Sequence, residues 1–404
     1  MIVKIEKLDY FGRGVTRDNN KVCFVKGALP GEKVDIEIVK ENKKFNEGKI
    51  VKILEESPNR VEVTCPHYKE CGGCHLLHLD SAEEDNYKKS KVQELVDRVG
   101  FSNKEIVTDV HSYKKTHYRN KVIFHVKDRK LGFYKEKSNE IVEINSCKLL
   151  REEINKIIPI LKSLVEDSKN DIEEIMVRVG NNNTKDKMIV GMKGKVNNLL
   201  NLDEVVDGIL INNKSVTQED KLLTSIGTKK FYVSDKSFFQ VNDSVVSKLY
   251  DEVLDFCKKN EVKKALDLYC GTGTIGIYIS DYVEEVLGID SAKSSIKDAK
   301  ENKALNNTNN IKFICSKVED HIDKIKGKYD LVIVDPPRAG LDNKTIKHLL
   351  KIASKNIIYI SCDPATLARD LKELNKEYEV LSIKPFNMFP KTYHVECVCV
   401  LELK

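Results

Sequence analysis

From about residue 238 onward the chain alternates short apolar runs, at 264–270, 285–290, 311–315, 330–334 and 356–361, with stretches of helical period. That alternation predicts a parallel, doubly wound α/β sheet, in which ligands sit in the crevice beyond the carboxyl ends of the strands. Chemistry-bearing residues stand at three of those ends. The first run, Asp267-Leu268-Tyr269-Cys270, opens onto Gly271-Thr272-Gly273-Thr274-Ile275-Gly276, the fourth ends in Asp335-Pro336-Pro337-Arg338, and the fifth ends in Ser361-Cys362-Asp363-Pro364. Asp363 reads as an N-cap and Pro364 as the first residue of a helix. A helix N-terminus there would favour the thiolate of Cys362 over the thiol. The last apolar run, 395–403, follows Pro390 after a long excursion and is expected as an antiparallel edge strand.

At 404 residues the chain can hold two or three cores, and its 41% hydrophobic and 32% charged usage is ordinary for a soluble protein. Residues 1–6 contain no apolar signal core, and no apolar stretch approaches the roughly 20 residues of a membrane span. A cytoplasmic location is therefore expected, with the eleven cysteines reduced. Residues 1–58 carry short strand patterns punctuated by Gly12, Gly14, Gly27, Pro30-Gly31 and Gly48, the pattern of a small β-barrel. Residues 59–235 read as a mixed α+β central domain, with a helix near 82–99 placed to pack on the catalytic part and another near 151–166. Residues 236–404 form the catalytic domain. Between His111 and Lys137, nine Lys and Arg residues face only Asp128 and Glu136, with Tyr113, Tyr118, Phe124, Phe133 and Tyr134 interleaved. Basic residues with aromatics suit RNA, although a solvated Lys-rich β surface has the same composition.

A glycine loop between strand and helix lets backbone approach a ligand, and Asp290, ending the second run, is placed to accept both hydroxyls of a ribose. NAD, S-adenosylmethionine and a ligand-free turn all satisfy this motif. The fourth run separates them: an acid followed by two prolines sets a carboxylate and rigid carbonyls over a methyl donor and has no part in hydride transfer. Cys362 then has a specific use. C5 of a uracil is a weak nucleophile, but a thiolate adding at C6 makes it electron-rich. After methylation a general base must remove the C5 proton, and Glu396, entering the last run, is the candidate. Standing alone, a free cysteine is usually a small buried hydrophobe and such a glutamate a solvated strand end.

Taken in order, Phe238-Phe239-Gln240-Val241-Asn242, Asp267 to Gly273, Asp335 to Arg338, Ser361-Cys362-Asp363-Pro364-Ala365-Thr366-Leu367-Ala368-Arg369-Asp370 and His394-Val395-Glu396 resemble the RNA uracil-5-methyltransferases over essentially the whole chain. The resemblance implies a Rossmann-like S-adenosylmethionine-dependent methyltransferase domain with Cys362 as nucleophile and Glu396 as base. It also implies cofactor contacts from Gln240, Tyr269, Gly271, Gly273, Asp290 and Asp335, with Phe238 stacking near the flipped base. The first sixty residues resemble the TRAM domain of that family, an OB-like RNA-binding barrel. Two stretches depart from the pattern: Lys391, where a His is expected before the Thr, and 80–86.

Cys65, Cys71 and Cys74 form C-x5-C-x2-C, and Cys147 is the best-placed fourth donor. On spacing alone, zinc and an iron–sulfur cluster fit these thiolates equally. Resemblance to the 23S ribosomal-RNA branch of the family implies [4Fe-4S], with His75 and His78 ranked below the thiolates as ligands. A barrel and a basic central domain grip more RNA than a small hairpin demands, so ribosomal RNA is expected over transfer RNA, with the enzyme as a monomer. An adenine or cytosine amino-methyltransferase would end the proline motif in an aromatic residue, where Arg338 stands. A non-catalytic iron–sulfur RNA-binding protein would leave Cys362 and Glu396 unused.

Overall fold

A computed structural model describes residues 1–404 apart from 19–20, 102–104, 182–185, 236 and 326. The chain begins with strands β1 (Ile2–Lys4), β2 (Lys7–Leu8), β3 (Gly14–Asp18), β4 (Lys21–Val25), β5 (Lys33–Glu41) and β6 (Phe45–Glu55). Their order is β1-β5-β6-β4-β3-β2, and because the two ends of that order are consecutive in the chain, the ribbon closes on itself. The alternate residues Val34 and Ile36 of β5 turn inward onto Ile5, Cys23 and Val25. The buried Glu32 carboxylate ties off one end of the barrel, accepting from Leu29 N at 2.8 Å and from Arg60 Nη2 at 2.9 Å.

Helix α1 (Ser81–Val96) follows, then β7 (Lys121–Lys127), β8 (Lys130–Tyr134), β9 (Ile141–Glu143), α2 (Glu152–Glu166), β10 (Asp171–Gly180), β11 (Lys187–Lys195), β12 (Gly208–Ile211) and β13 (Lys214–Ser215). These strands make a sheet in the order β13-β12-β11-β10-β7-β8-β9. The apolar stripe of α2, Ile154, Ile157, Ile158, Leu161 and Leu164, recurs at helical spacing and packs into the same core as the sheet's Phe124, Ile175, Val177 and Val190.

A hairpin, β14 (Lys221–Ile226) and β15 (Lys229–Ser234), leads into α3 (Asp243–Lys259), β16 (Lys264–Leu268), α4 (Thr274–Ile279), β17 (Glu285–Asp290), α5 (Lys293–Leu305), β18 (Ile311–Cys315) and α6 (Val318–His321). After these come β19 (Leu331–Val334), α7 (Asn343–Ile352), β20 (Asn356–Ser361), α8 (Pro364–Leu374), β21 (Tyr378–Phe386) and β22 (Glu396–Leu403). The hairpin shares its core with this last unit through Ile226, Phe231 and Val233. The sheet order is β18-β17-β16-β19-β20-β22-β21, parallel from β18 to β20. The direction of winding reverses between β16 and β19, so the crevice of a doubly wound sheet opens there. The last strand is antiparallel as expected, but it is not the edge. It inserts between β20 and β21, with Ser361 opposite Cys397 and Phe386 opposite Glu396. A strand covered on both sides must bury its leading residues, and the run Glu396-Cys397-Val398-Cys399 is buried throughout.

Helix α1 packs its Val92 and Val96 into the core that contains Leu367 and Leu371 of α8 and Ile383 of β21. Its polar residues are buried too. Lys88 Nζ donates to Glu84 Oε1 at 2.8 Å, to Asn387 Oδ1 at 2.6 Å and to the Phe389 carbonyl at 3.2 Å, and both charged side chains are fully buried. Lys391, standing where a His was expected, donates its N–H to Glu84 Oε1 and its Nζ to the Leu79 carbonyl and Ser81 Oγ. The departing stretch 80–86 is the start of this helix, capped by Asp80 on Ala82 N at 2.8 Å. Glu84→Ala leaves two buried ammonium groups without their carboxylate, and we expect a loss of about 3–5 kcal/mol in urea unfolding. Glu84→Gln, which keeps the acceptor oxygen, is expected to lose less.

Candidate active site

The three chemical strand ends meet at the crevice. Asp335 leaves β19 with its N–H on the Leu268 carbonyl at 3.3 Å, which sets it beside the end of β16. The loop beyond Pro336-Pro337 is held by α8. Asp370 accepts from Leu341 N and from the Tyr359 hydroxyl, each at 2.8 Å, while Arg369 donates to Asp370 Oδ1 and to the Ala339 carbonyl, each at 2.8 Å. Gly340 is required at the turn: its φ is +75°, and a Cβ would lie 2.6 Å from Asp370 Oδ2. The Arg369-Asp370 pair therefore fixes the loop bearing Asp335 and Arg338 against the helix that starts after Cys362.

On the β16 side, Gly271 has a φ of +55°, and the position a Cβ would take faces open space. Gly273, at +77°, has no room for a Cβ against Phe313, so both positions require glycine and the open space lies over the first. Asp290 accepts from Gly271 N at 3.0 Å and Ala292 N at 2.7 Å, which orients a carboxylate that still has lone pairs for hydroxyls. Asp267 accepts from Gly276 N at 3.1 Å through one oxygen, and its other oxygen is buried without a partner. Open space over a glycine loop and an orphaned buried acceptor beneath it fit a nucleoside cofactor. Tyr269 turns out of β16 with a φ of +63°, its hydroxyl donating to Glu319 Oε1 at 3.3 Å. Gln240 is buried on the segment before α3, where its carbonyl accepts from Asn120 Nδ2 at 3.3 Å, a link to the central sheet.

Cys362, Glu396 and Asp335 come together as neighbours. Burial, reinforced by Asp335, raises the Glu396 carboxyl to about 8, and Arg338 opposes the rise. Burial alone raises Asp335 to about 7. The Cys362 thiol is pushed up to about 12 by burial and then by Glu396 and Asp335. This corrects the expectation of a thiolate stabilised by the helix. The free amides at the start of α8 are already taken by the Asp363 carboxylate, from Ala365 N at 2.9 Å and Thr366 N at 3.2 Å, and the remaining neighbours are mostly acids. Arg338, quoted in the sequence motif but given no catalytic part there, is the cation that faces both Cys362 and Glu396.

Cys65, Cys71, Cys74 and Cys147 line one cavity of about 810 Å³, which Arg119, Lys121 and the 69% exposed Phe238 also line. The Cys74 thiol is raised by burial and by the other three sulfurs. All four are free thiols, and among the described residues no group of three or more His, Cys, Asp or Glu side chains is spaced to hold a metal ion. His75 and His78 stand apart, against Tyr393 and Tyr68 respectively. No described helix is long and apolar enough to cross a membrane.

A carboxyl raised on folding stabilises the protein below its unfolded value near 4.5, and that contribution is lost as pH rises through the folded value near 8. The ligand-free protein should thus lose stability on the order of a few kcal/mol between pH 4.5 and about 8, where the glutamate is ionised in the unfolded chain but protonated in the fold. Thermal melts of Glu396→Gln against wild type should show a flatter decline with rising pH and a more stable variant above about pH 8. Parallel curves would contradict the burial argument.

Comparison with known proteins agrees with this geometry. Residues 207–404 match the family described as tRNA (Uracil-5-)-methyltransferase, and residues 1–51 match the TRAM domain. The chain is 36% identical to an uncharacterized RNA methyltransferase of Aquifex aeolicus, over 99% of this chain and 98% of that one. It is 34% identical to another from Clostridium tetani, over 96% and 93%. The structure of Pyrococcus abyssi tRNA (uracil-54, C5)-methyltransferase in complex with S-adenosyl-L-homocysteine superposes with a TM-score of 0.81 at 27% identity, covering 99% of this chain and all of that one. With a crevice shaped for a nucleoside cofactor and relatives matched along nearly its whole length, the chain belongs to the S-adenosylmethionine-dependent RNA uracil-5-methyltransferases.

Proposed function

We propose that this enzyme methylates C5 of a uridine in 23S ribosomal RNA, with Cys362 as nucleophile and Glu396 as the base. The observation that carries the reading is the convergence of the half-buried Cys362 and Asp335 with the buried Glu396, where the ends of β19 and β20 meet the start of β22. When bound, S-adenosylmethionine supplies an electrophilic methyl group on a positively charged sulfur. Gly271, Gly273, Asp290, Asp335, Tyr269 and Gln240 would hold it. The target base must leave its stack to reach two groups at attack distance. Cys362 would give up its proton to solvent as its sulfur forms the S–C6 bond and the C5=C6 electron pair moves toward O4; C5 would then bond the methyl carbon as that carbon's bond to the donor sulfur breaks, leaving S-adenosyl-L-homocysteine. Glu396 then receives the C5 proton, C5=C6 re-forms, and the S–C6 bond breaks to return the cysteine.

We assign the RNA grip to residues 1–58 and 59–235 and the chemistry to 236–404, in a cytoplasmic monomer. The basic wall around the 810 Å³ cavity supports a large RNA partner. A second reading, transfer RNA, is favoured by the Pyrococcus abyssi enzyme, whose match includes the barrel and central sheet. For the four cysteines we propose a [4Fe-4S] cluster in a structural or RNA-positioning role: the four thiols line one cavity without closing on a single-ion site, and the cluster would have to draw them together. Anaerobic reconstitution should yield iron and acid-labile sulfide in equal amounts, and Cys74→Ala should lose both. Stoichiometric zinc without sulfide would replace the cluster by a single ion on the same thiolates.

The functional test is tritium release from [5-³H]uridine-labelled ribosomal RNA and, separately, transfer RNA. Release from ribosomal RNA is expected, abolished in Cys362→Ala and slowed about 10²–10⁴-fold in Glu396→Gln. Release from transfer RNA alone would keep the chemistry and replace the substrate, and no release from either by folded, cofactor-binding protein would reject C5 methylation.

A further inference from the structure

The N-terminal barrel reaches into the active site through one loop. Between β2 and β3, Asp9 and Tyr10 present their carbonyls to the Tyr87 hydroxyl of α1, each at 3.0 Å. Gly12, at a φ of +76°, brings this loop so close that a Cβ would lie 2.8 Å from Leu76 and 3.8 Å from Tyr393. The Tyr10 hydroxyl lies against the Asp363 carboxylate, whose residue directly follows Cys362. The Phe11 ring meets Tyr393 edge-on at 5.5 Å.

Between the loop and the catalytic strand sits Lys91. Its Nζ is 3.8 Å from the centre of the Tyr10 ring and donates to the Tyr393 carbonyl at 2.7 Å, three residues before Glu396. Burial, then Lys88 on its own helix, lowers the Lys91 ammonium to about 7, against the acids that face it, Asp363 from α8's cap and Asp9 from the barrel loop. A desolvated ammonium over a ring is held more strongly than an exposed one. One cation thus joins three separate elements: the barrel loop, α1 and the strap from 387 to 395 that delivers Glu396.

We propose that Lys91 and Tyr10 are positioning residues for the methylation reaction, locking the barrel loop to Asp363 and Tyr393 so that Cys362 and Glu396 are held in register. In this arrangement the barrel serves the chemical step as well as RNA affinity. The proposal rests on the assignment of Cys362 and Glu396 above.

The test compares full-length wild type, Lys91→Met, Lys91→Arg, Tyr10→Phe and Cys362→Ala. The readouts are kcat and KM for RNA, calorimetric binding of S-adenosyl-L-homocysteine, and the single-turnover rate of covalent adduct formation on 5-fluorouridine RNA. Lys91→Met is expected to lower kcat and the adduct rate together by about 10- to 100-fold, with KM and cofactor binding within about twofold. Lys91→Arg should recover most of that loss. Tyr10→Phe keeps the ring under the ammonium, serves as the variant that folds if Lys91→Met does not, and should lose about tenfold in kcat through the missing hydroxyl at Asp363. A raised KM with kcat unchanged would overturn the proposal in favour of a barrel that only grips RNA, as would wild-type kinetics in both variants. Absence of a Cys362-dependent adduct in the wild type would instead reject the underlying mechanism.

Discussion

The site is organised around acids that lack enough positive charge. Glu396 is buried beside the half-buried Asp335, Asp267 is buried near Asp335 with an oxygen unpaired, and Cys362 faces Glu396 and Asp335. With Arg338 opposing them, burial and mutual repulsion favour the protonated forms of these groups while the site holds no cationic ligand. A ligand carrying positive charge at that point relieves the repulsion, and one that has lost its charge restores it.

The rest of the fold maintains that crowding. The sheet reversal between β16 and β19 brings Asp267 and Asp335 to one crevice, and β22, slotted between β20 and β21, places Glu396 across from the end of β20. Asp370 and Arg369 clamp the Asp335 loop, and the buried Glu84–Lys88–Asn387 network clamps the strap before Glu396. Each clamp is polar and enclosed, which makes it directional where apolar packing is not.

Much of this was legible in the sequence because its signals are local. Five apolar runs with turn residues at their ends located β16 to β20 nearly to the residue, and the Asp363-Pro364 cap marked the start of α8. What was not legible depends on partners far along the chain. The helix near 82–99 was legible, but no part was assigned to its Glu84, Lys88 and Lys91, because their partners Asn387, Lys391 and Tyr393 lie about three hundred residues away, at separations of 299 for Lys88 and 302 for Lys91. The protonated state of Cys362 was hidden for the same reason: its neighbours arrive from β19 and β22, and the helix amides that would have favoured the thiolate are taken by its own cap. The place of β22 follows from the strap before it, whose path no local pattern records.

The most direct measurement of the charge account is calorimetric binding of S-adenosylmethionine and S-adenosyl-L-homocysteine to wild type and Asp335→Asn between about pH 6 and about pH 8.5. The account predicts that the charged cofactor gains affinity over the neutral one as pH rises to about 8, releases more protons on binding, and loses both differences in Asp335→Asn. Identical pH dependence and proton release for the two ligands in wild type would contradict it.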